Sequence, residues 1–98
     1  MNDKLTVIAH IRAKAGREAQ VREVLLGLIA LTRAEAGCIN YDLHVSQDDP
    51  RQFVFYENWV SESHLESHAN SPHLKALRSI ADEILERPIE ITKWRMLP

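Results

Sequence analysis

Apolar and polar positions alternate from residue 4 to residue 12. Leu5, Val7, Ala9 and Ile11 fall on one face of an extended chain, and Thr6, Ile8, His10 and Arg12 on the other. Successive strand side chains project to opposite faces, so this stretch predicts a strand with one apolar and one mixed face. Lys14-Ala15-Gly16 breaks the pattern, and from about Arg17 to Glu35 the period lengthens. Val21, Val24, Leu25, Leu28, Ile29 and Thr32 recur at three- and four-residue steps, the stripe of an amphipathic helix. Gly27 inside it costs about 1 kcal/mol relative to Ala. Gly37 stands where a left-handed C-terminal cap is expected.

Alternation returns over residues 38–46, with Ile39, Tyr41, Leu43 and Val45 on the apolar face, and over residues 52–60. Phe53, Phe55, Glu57 and Trp59 share one face of that third strand; Val54, Tyr56, Asn58 and Val60 share the other. Gln47-Asp48-Asp49-Pro50 between them is a turn signal, so the pair predicts a hairpin. Ser61 is placed to cap a short helix over residues 62–69. Ser71-Pro72 opens another, with Pro at the first helical position, where its missing N–H does no harm. Leu74, Leu77, Ile80, Ala81 and Ile84 form its stripe, Arg87-Pro88 stops it, and residues 89–96 form a last strand.

The predicted order is β-α-β-β-α-β with the second helix broken. This is the split βαβ, or ferredoxin-like, α+β fold: a four-stranded antiparallel sheet with helices on one face. All 98 residues are expected to form a single domain. Both faces of the third strand are substantially apolar, so the face without helices needs a cover. A second copy of the chain is the simplest one, which predicts a homodimer.

Composition narrows the setting. Apolar residues are 45% and charged residues 27%, with a formal net charge of -2. That is ordinary for a folded domain and offers no basic footprint for nucleic acid or an anionic membrane. No apolar stretch approaches the roughly 18 residues of a membrane span, and the start, MNDKLTVIAHIRAK, has no secretory signal core. Cys38 is the only cysteine, so no intrachain disulfide can form. Together these features point to a cytoplasmic location. There is no GxGxxG, P-loop or cysteine cluster, so no nicotinamide, flavin, nucleotide or iron–sulfur cofactor is expected.

Residues 53–59, FVFYENW, followed by SESHLESHANSPHLKAL, resemble the antibiotic biosynthesis monooxygenase family. Its pattern is a strand ending Glu-x-Trp, a helix with Leu-x-x-His, then Ser-Pro-His; here these are Glu57, Trp59, Leu65, His68, Ser71, Pro72 and His73. LTVIAHIRAKAGRE and EAGCINYDLH resemble the family's first strand and its entry to the second. The resemblance implies a dimeric α/β barrel with a pocket between sheet and helices in each subunit. It implies quinol-type monooxygenases, polyketide-oxidising enzymes, haem-degrading enzymes or an isomerase of a phosphorylated sugar, because one fold hosts several chemistries. The haem-degrading branch uses a His on the last helix; the matching position here is Arg78, which speaks against haem.

The candidate chemistry follows. Phe55 and Trp59 are placed to form an aromatic substrate wall, or simply core. Glu57 among aromatics is either a base with a raised pKa or the partner of a helix N-terminus, Lys93 or Arg95. His64 and His68, four apart, share a helix face, and one of them facing the pocket would serve as a base. With His73 they could bind zinc, but the spacing is weak, and no metal is expected. His73 reads as a helix-end packing residue. The leading expectation is a cofactor-independent monooxygenase that oxidises a small aromatic quinol or phenol with dioxygen, with His68, His64 and Glu57 as catalytic candidates. The alternatives are an isomerase of a small polar metabolite, with Arg12, Lys93 and Arg95 as its cationic cluster, and a non-catalytic ligand-binding dimer.

Overall fold

Alternating β-branched and aromatic residues place β1 (Leu5–Arg12), β2 (Cys38–Val45), β3 (Gln52–Trp59) and β4 (Glu90–Trp94) in one sheet. The strand order is β2-β3-β1-β4, antiparallel throughout, in a computed structural model that describes residues 4–98. Met1–Asp3, the start of the stretch read above for a signal, lie outside the described residues. Among the described residues, four helices complete the fold: α1 (Glu18–Leu26), α2 (Ile29–Arg33), α3 (Glu62–Ala69) and α4 (Pro72–Ile84). This is the ferredoxin-like α+β arrangement. Val7, Ile11, Phe53 and Trp59 from the sheet meet Val21, Leu25, Leu77 and Ile84 from the helices in one core.

Local signals explain most element ends. The Ser61 hydroxyl accepts from the His64 amide and that of Ser71 from the Leu74 amide, with Pro72 in the first turn of α4. Gly37 has φ +81°, and a Cβ there would collide with the His64 ring. Glycine therefore allows both the left-handed turn and the close approach of α3.

Three boundaries differ from expectation. The helix predicted over Arg17–Glu35 is two helices, broken at Gly27-Leu28. The Leu28 amide turns back to the Leu25 carbonyl, one residue nearer than in an α-helix, while Gly27 keeps helical dihedrals (φ −66°, ψ −16°). The stripe still runs through the break, since Val21, Leu25, Leu28 and Thr32 are all buried. Ile39 is half exposed instead of lying on the apolar face, because β2 is irregular between Cys38 and Asn40 and residue 39 has no partner across from it. The last strand is shorter than predicted and ends at Trp94.

The helix-free face carries Ile8 and Val54, half-buried, and Tyr56, Val60 and Trp94, exposed. Asn58 on this face is buried; it accepts from the Thr6 hydroxyl at 2.5 Å and donates to Asn40 at 2.8 Å. Among the described residues, no helix is long and apolar enough to cross a membrane.

Candidate active site

The helices do not press flat on the sheet. Between β1 and β3 below and α3 and α4 above lies a cavity of about 890 Å³. Val7, Phe55 and Glu57 line its floor, and Leu65, His68 and Leu77 line the helix side. A pocket of this size, largely apolar but with charged side chains such as Lys14, Arg78 and Lys93 also lining it, fits a small organic ligand.

The pleat sends Glu57 to this face with Phe55 and Trp59, as their alternation predicted. Glu57 is only 3% exposed. Its Oε1 accepts from the Trp59 indole N–H at 2.9 Å. Neither Lys93 nor Arg95 is its partner: Lys93 pairs with Glu62. Burial pushes the Glu57 carboxyl up to about 7; the Trp59 hydrogen bond opposes that shift, and the Glu35 charge adds to it. Near neutral pH, Glu57 can therefore hold a proton or give one up.

Trp59 is fully buried and does not line the cavity. It stands behind the wall, with its ring 4.6 Å from that of His68. The wall itself is Phe55 with Tyr41, stacked at 4.1 Å.

The two α3 histidines separate. His64 Nδ1 bonds the Ser61 hydroxyl at 2.7 Å, its ring covers Gly37, and it does not line the cavity. Sharing a helix face with His68 did not bring it to the pocket, because the capping hydroxyl three residues earlier captures its ring. His68, four residues on and just one turn deeper, is buried and lines the cavity.

His68 has a partner that the sequence did not reveal. Its Nδ1 lies 2.8 Å from Glu35 Oε2, in the turn after α2. His73, read above as a packing residue, reaches the same oxygen through Nε2 at 2.7 Å. Glu35 is more than thirty residues from either histidine, so no spacing rule links them. The only sequence signal is a carboxylate two residues before Gly37, against which α3 packs. A carboxylate only accepts, so it fixes the His68 tautomer with the proton on Nδ1. His68 Nε2 then carries a lone pair. It has no protein partner among the described residues, and the ring that carries it lines the cavity. Burial lowers the His68 pKa, against the pull of Glu35. The ring is thus neutral and ready to accept a proton near neutral pH.

The cationic cluster expected for a phosphorylated substrate does not assemble. Arg12 lies on the opposite face of the sheet from Lys93 and pairs with Asp49 and Glu86. Arg95 lies beyond β4, exposed.

The sequence and the fold match those of known proteins. The antibiotic biosynthesis monooxygenase profile matches residues 4–79. The chain belongs to the antibiotic biosynthesis monooxygenase family. The "Putative monooxygenase Rv0793" of Mycobacterium tuberculosis is 35% identical over 92 residues, covering 94% of this chain and 90% of its own. The "Probable quinol monooxygenase YgiN" of Escherichia coli K12 is 31% identical, covering 89% of this chain and 94% of its own. The crystal structure of PA3566 from Pseudomonas aeruginosa superposes with a TM-score of 0.94 at 34% identity, over 100% of this chain and 98% of that one. Membership supports a monooxygenase-type function.

Proposed function

We propose that this antibiotic biosynthesis monooxygenase domain oxidises a small aromatic quinol or related phenol with dioxygen, with no cofactor, and that His68 is its general base. The observation that carries this reading is the Glu35–His68 pair, which leaves an imidazole lone pair facing an apolar cavity. The quinol monooxygenase name of the YgiN relative supports the substrate class.

The chemistry needs little from the protein. Dioxygen is a triplet and reacts slowly with closed-shell molecules, but an electron-rich phenolate passes it one electron. His68 Nε2 takes the phenol proton, and Glu35 steadies the imidazolium that results. Superoxide and the aryloxyl radical then combine at a ring carbon to give a C–O–O bond, and a proton makes it the hydroperoxide. That carbon gives its ring hydrogen to His68 as a proton, the C–H electron pair forms the new C=O bond, and the O–O bond breaks to release hydroxide, which takes a proton and leaves as water. A quinol plus dioxygen thus gives a hydroxyquinone plus water: the substrate supplies both electrons and one oxygen enters the product. Glu57, poised near neutrality, and the imidazolium are the proton donors. Phe55 and Tyr41 provide the flat wall.

The active form we propose is a homodimer. Tyr56, Val60 and Trp94 would otherwise leave an apolar sheet face in water, which a second copy of that face would cover.

The test is oxygen uptake with a panel of hydroquinones and naphthohydroquinones, without flavin or nicotinamide, followed by mass spectrometry under ¹⁸O₂. One labelled oxygen in the quinone product is expected. Uptake no faster than the spontaneous reaction across the panel would refute the reading; hydrogen peroxide with no label in the product would make the protein an oxidase.

A further inference from the structure

Glu35, His68 and His73 do more than orient a base. Their three ligand atoms, Glu35 Oε2, His68 Nδ1 and His73 Nε2, all lie within 4.8 Å of one another. They come from three separate elements: the turn after α2, the last turn of α3 and the first turn of α4. The side chains are 17%, 6% and 14% exposed, so the cluster is largely shielded from water yet not sealed. The expectation of no metal rested on the lack of a third well-spaced ligand beside His64 and His68. The fold removes His64 and supplies Glu35.

We propose that Glu35, His68 and His73 form a binding site for a divalent transition ion of the zinc class, and that its occupation switches off the base function of His68. Two imidazoles and one carboxylate are the ligand set of an open three-ligand zinc site, with a fourth position left for water. Zinc–nitrogen and zinc–oxygen bonds of about 2.0–2.2 Å in a tetrahedron hold ligand atoms roughly 3.3 Å apart. The spacings of 2.8 and 2.7 Å to Glu35 Oε2 must open by about half an ångström, and the two histidine nitrogens, which lie within 4.8 Å of each other, must settle at a similar separation. The ligands are also held in advance. Trp59 and Tyr41 pack on the His68 ring at 4.6 and 5.5 Å, and the Ser71-capped start of α4 carries His73. Arg78, also nearby, is engaged with the Ala69 carbonyl.

The consequence for the reaction is one of tautomers and rests on the quinol-monooxygenase reading above. The ion takes the His68 Nδ1 lone pair, in the position now held by the proton shared with Glu35. A neutral imidazole ligated at Nδ1 carries its hydrogen on Nε2. The cavity-facing atom becomes a donor and can no longer take a phenol proton. His73 shifts its hydrogen to Nδ1 in the same way, so two neutral histidines bind the ion with no net proton lost from either ring.

Calorimetric titration of the purified chain with zinc chloride, and optical titration with cobalt chloride, tests the site without any activity. One ion per chain is expected, with cobalt d–d bands of a nitrogen- and oxygen-ligated site. Glu35→Gln and His73→Gln, near-isosteric and checked for folding by circular dichroism, should each weaken binding by at least about tenfold. Zinc binding of unchanged strength in both folded variants, or no saturable binding in the parent, overturns the site. Should one variant fail to fold, the other decides. Oxygen uptake is then followed as zinc is added, each protein being referred to its own metal-free rate. Inhibition should track occupancy in the parent and move to at least tenfold higher zinc in His73→Gln. Stoichiometric binding with uninhibited uptake overturns the switch. Binding in a protein that has no quinol-dependent uptake at all overturns the quinol reading and leaves the metal site standing.

Discussion

Replacing Glu57 by Gln isolates the cost of a buried carboxylate. Gln keeps an oxygen to accept from the Trp59 indole but cannot ionise. In the folded parent the carboxyl is pushed from its ordinary 4.5 up to about 7. A group whose pKa rises on folding stabilises the native state fully below its unfolded pKa, and that stability is lost as pH rises through the folded pKa. The parent should therefore lose stability between about pH 4.5 and 7 through this group and lose no more above that. At 1.36 kcal/mol per unit, the loss from about pH 5 to pH 8 comes to about 2.5 kcal/mol. Glu57→Gln has no such loss, so the gap between variant and parent should widen in its favour by that amount. Urea unfolding at several pH values, at one fixed protein concentration because the midpoint of a dimer depends on it, measures the gap. All other titrations are common to both proteins and cancel in the difference. A gap that stays constant from pH 5 to pH 8 would refute the reasoning and mean that Glu57 is charged throughout.

Trp59→Phe removes the donor that holds the Glu57 pKa down, so the pH-linked loss of stability should extend above pH 7, as the same unfolding series would show. Gly37→Ala should destabilise by at least about 1–2 kcal/mol from its left-handed backbone alone, with more from the collision with His64, and lower the thermal midpoint accordingly. Sedimentation at micromolar concentration should give twice the 11.2 kDa chain mass, and Tyr56→Asp should lower it. A stable parental monomer would leave the open sheet face without its proposed cover.

The alternation of β1 and β3, the two serine caps and Gly37 were legible because each acts within a few residues. Phe55, Glu57 and Trp59 landed on the predicted face for the same reason: the pleat allows no other outcome. The break at Gly27 was hidden because a tight turn that keeps helical dihedrals also keeps the apolar period running from Val21 to Thr32. The irregularity that turns Ile39 outward is set by pairing with β3, which no local pattern encodes. At the site, His68 was readable from its motif, but its role was not separable from that of His64. Two residues four apart on a helix share a face, and the choice between them rested on the Ser61 hydroxyl and on Glu35, across the fold. Glu35 itself sits in a turn of ordinary composition. Only the docking of α3 and α4 against the end of α2 makes it a partner of both histidines.

The most direct test of the account is the rate of quinol-dependent oxygen uptake in His68→Ala beside that in His64→Gln and the parent. The lone pair of His68 Nε2 is the proposed base, so His68→Ala should lose about a hundredfold or more, the usual scale for a lost general base. His64→Gln, altered only in the cap over Gly37, should oxidise quinols at close to the parental rate. Parental turnover in folded His68→Ala would contradict the central claim.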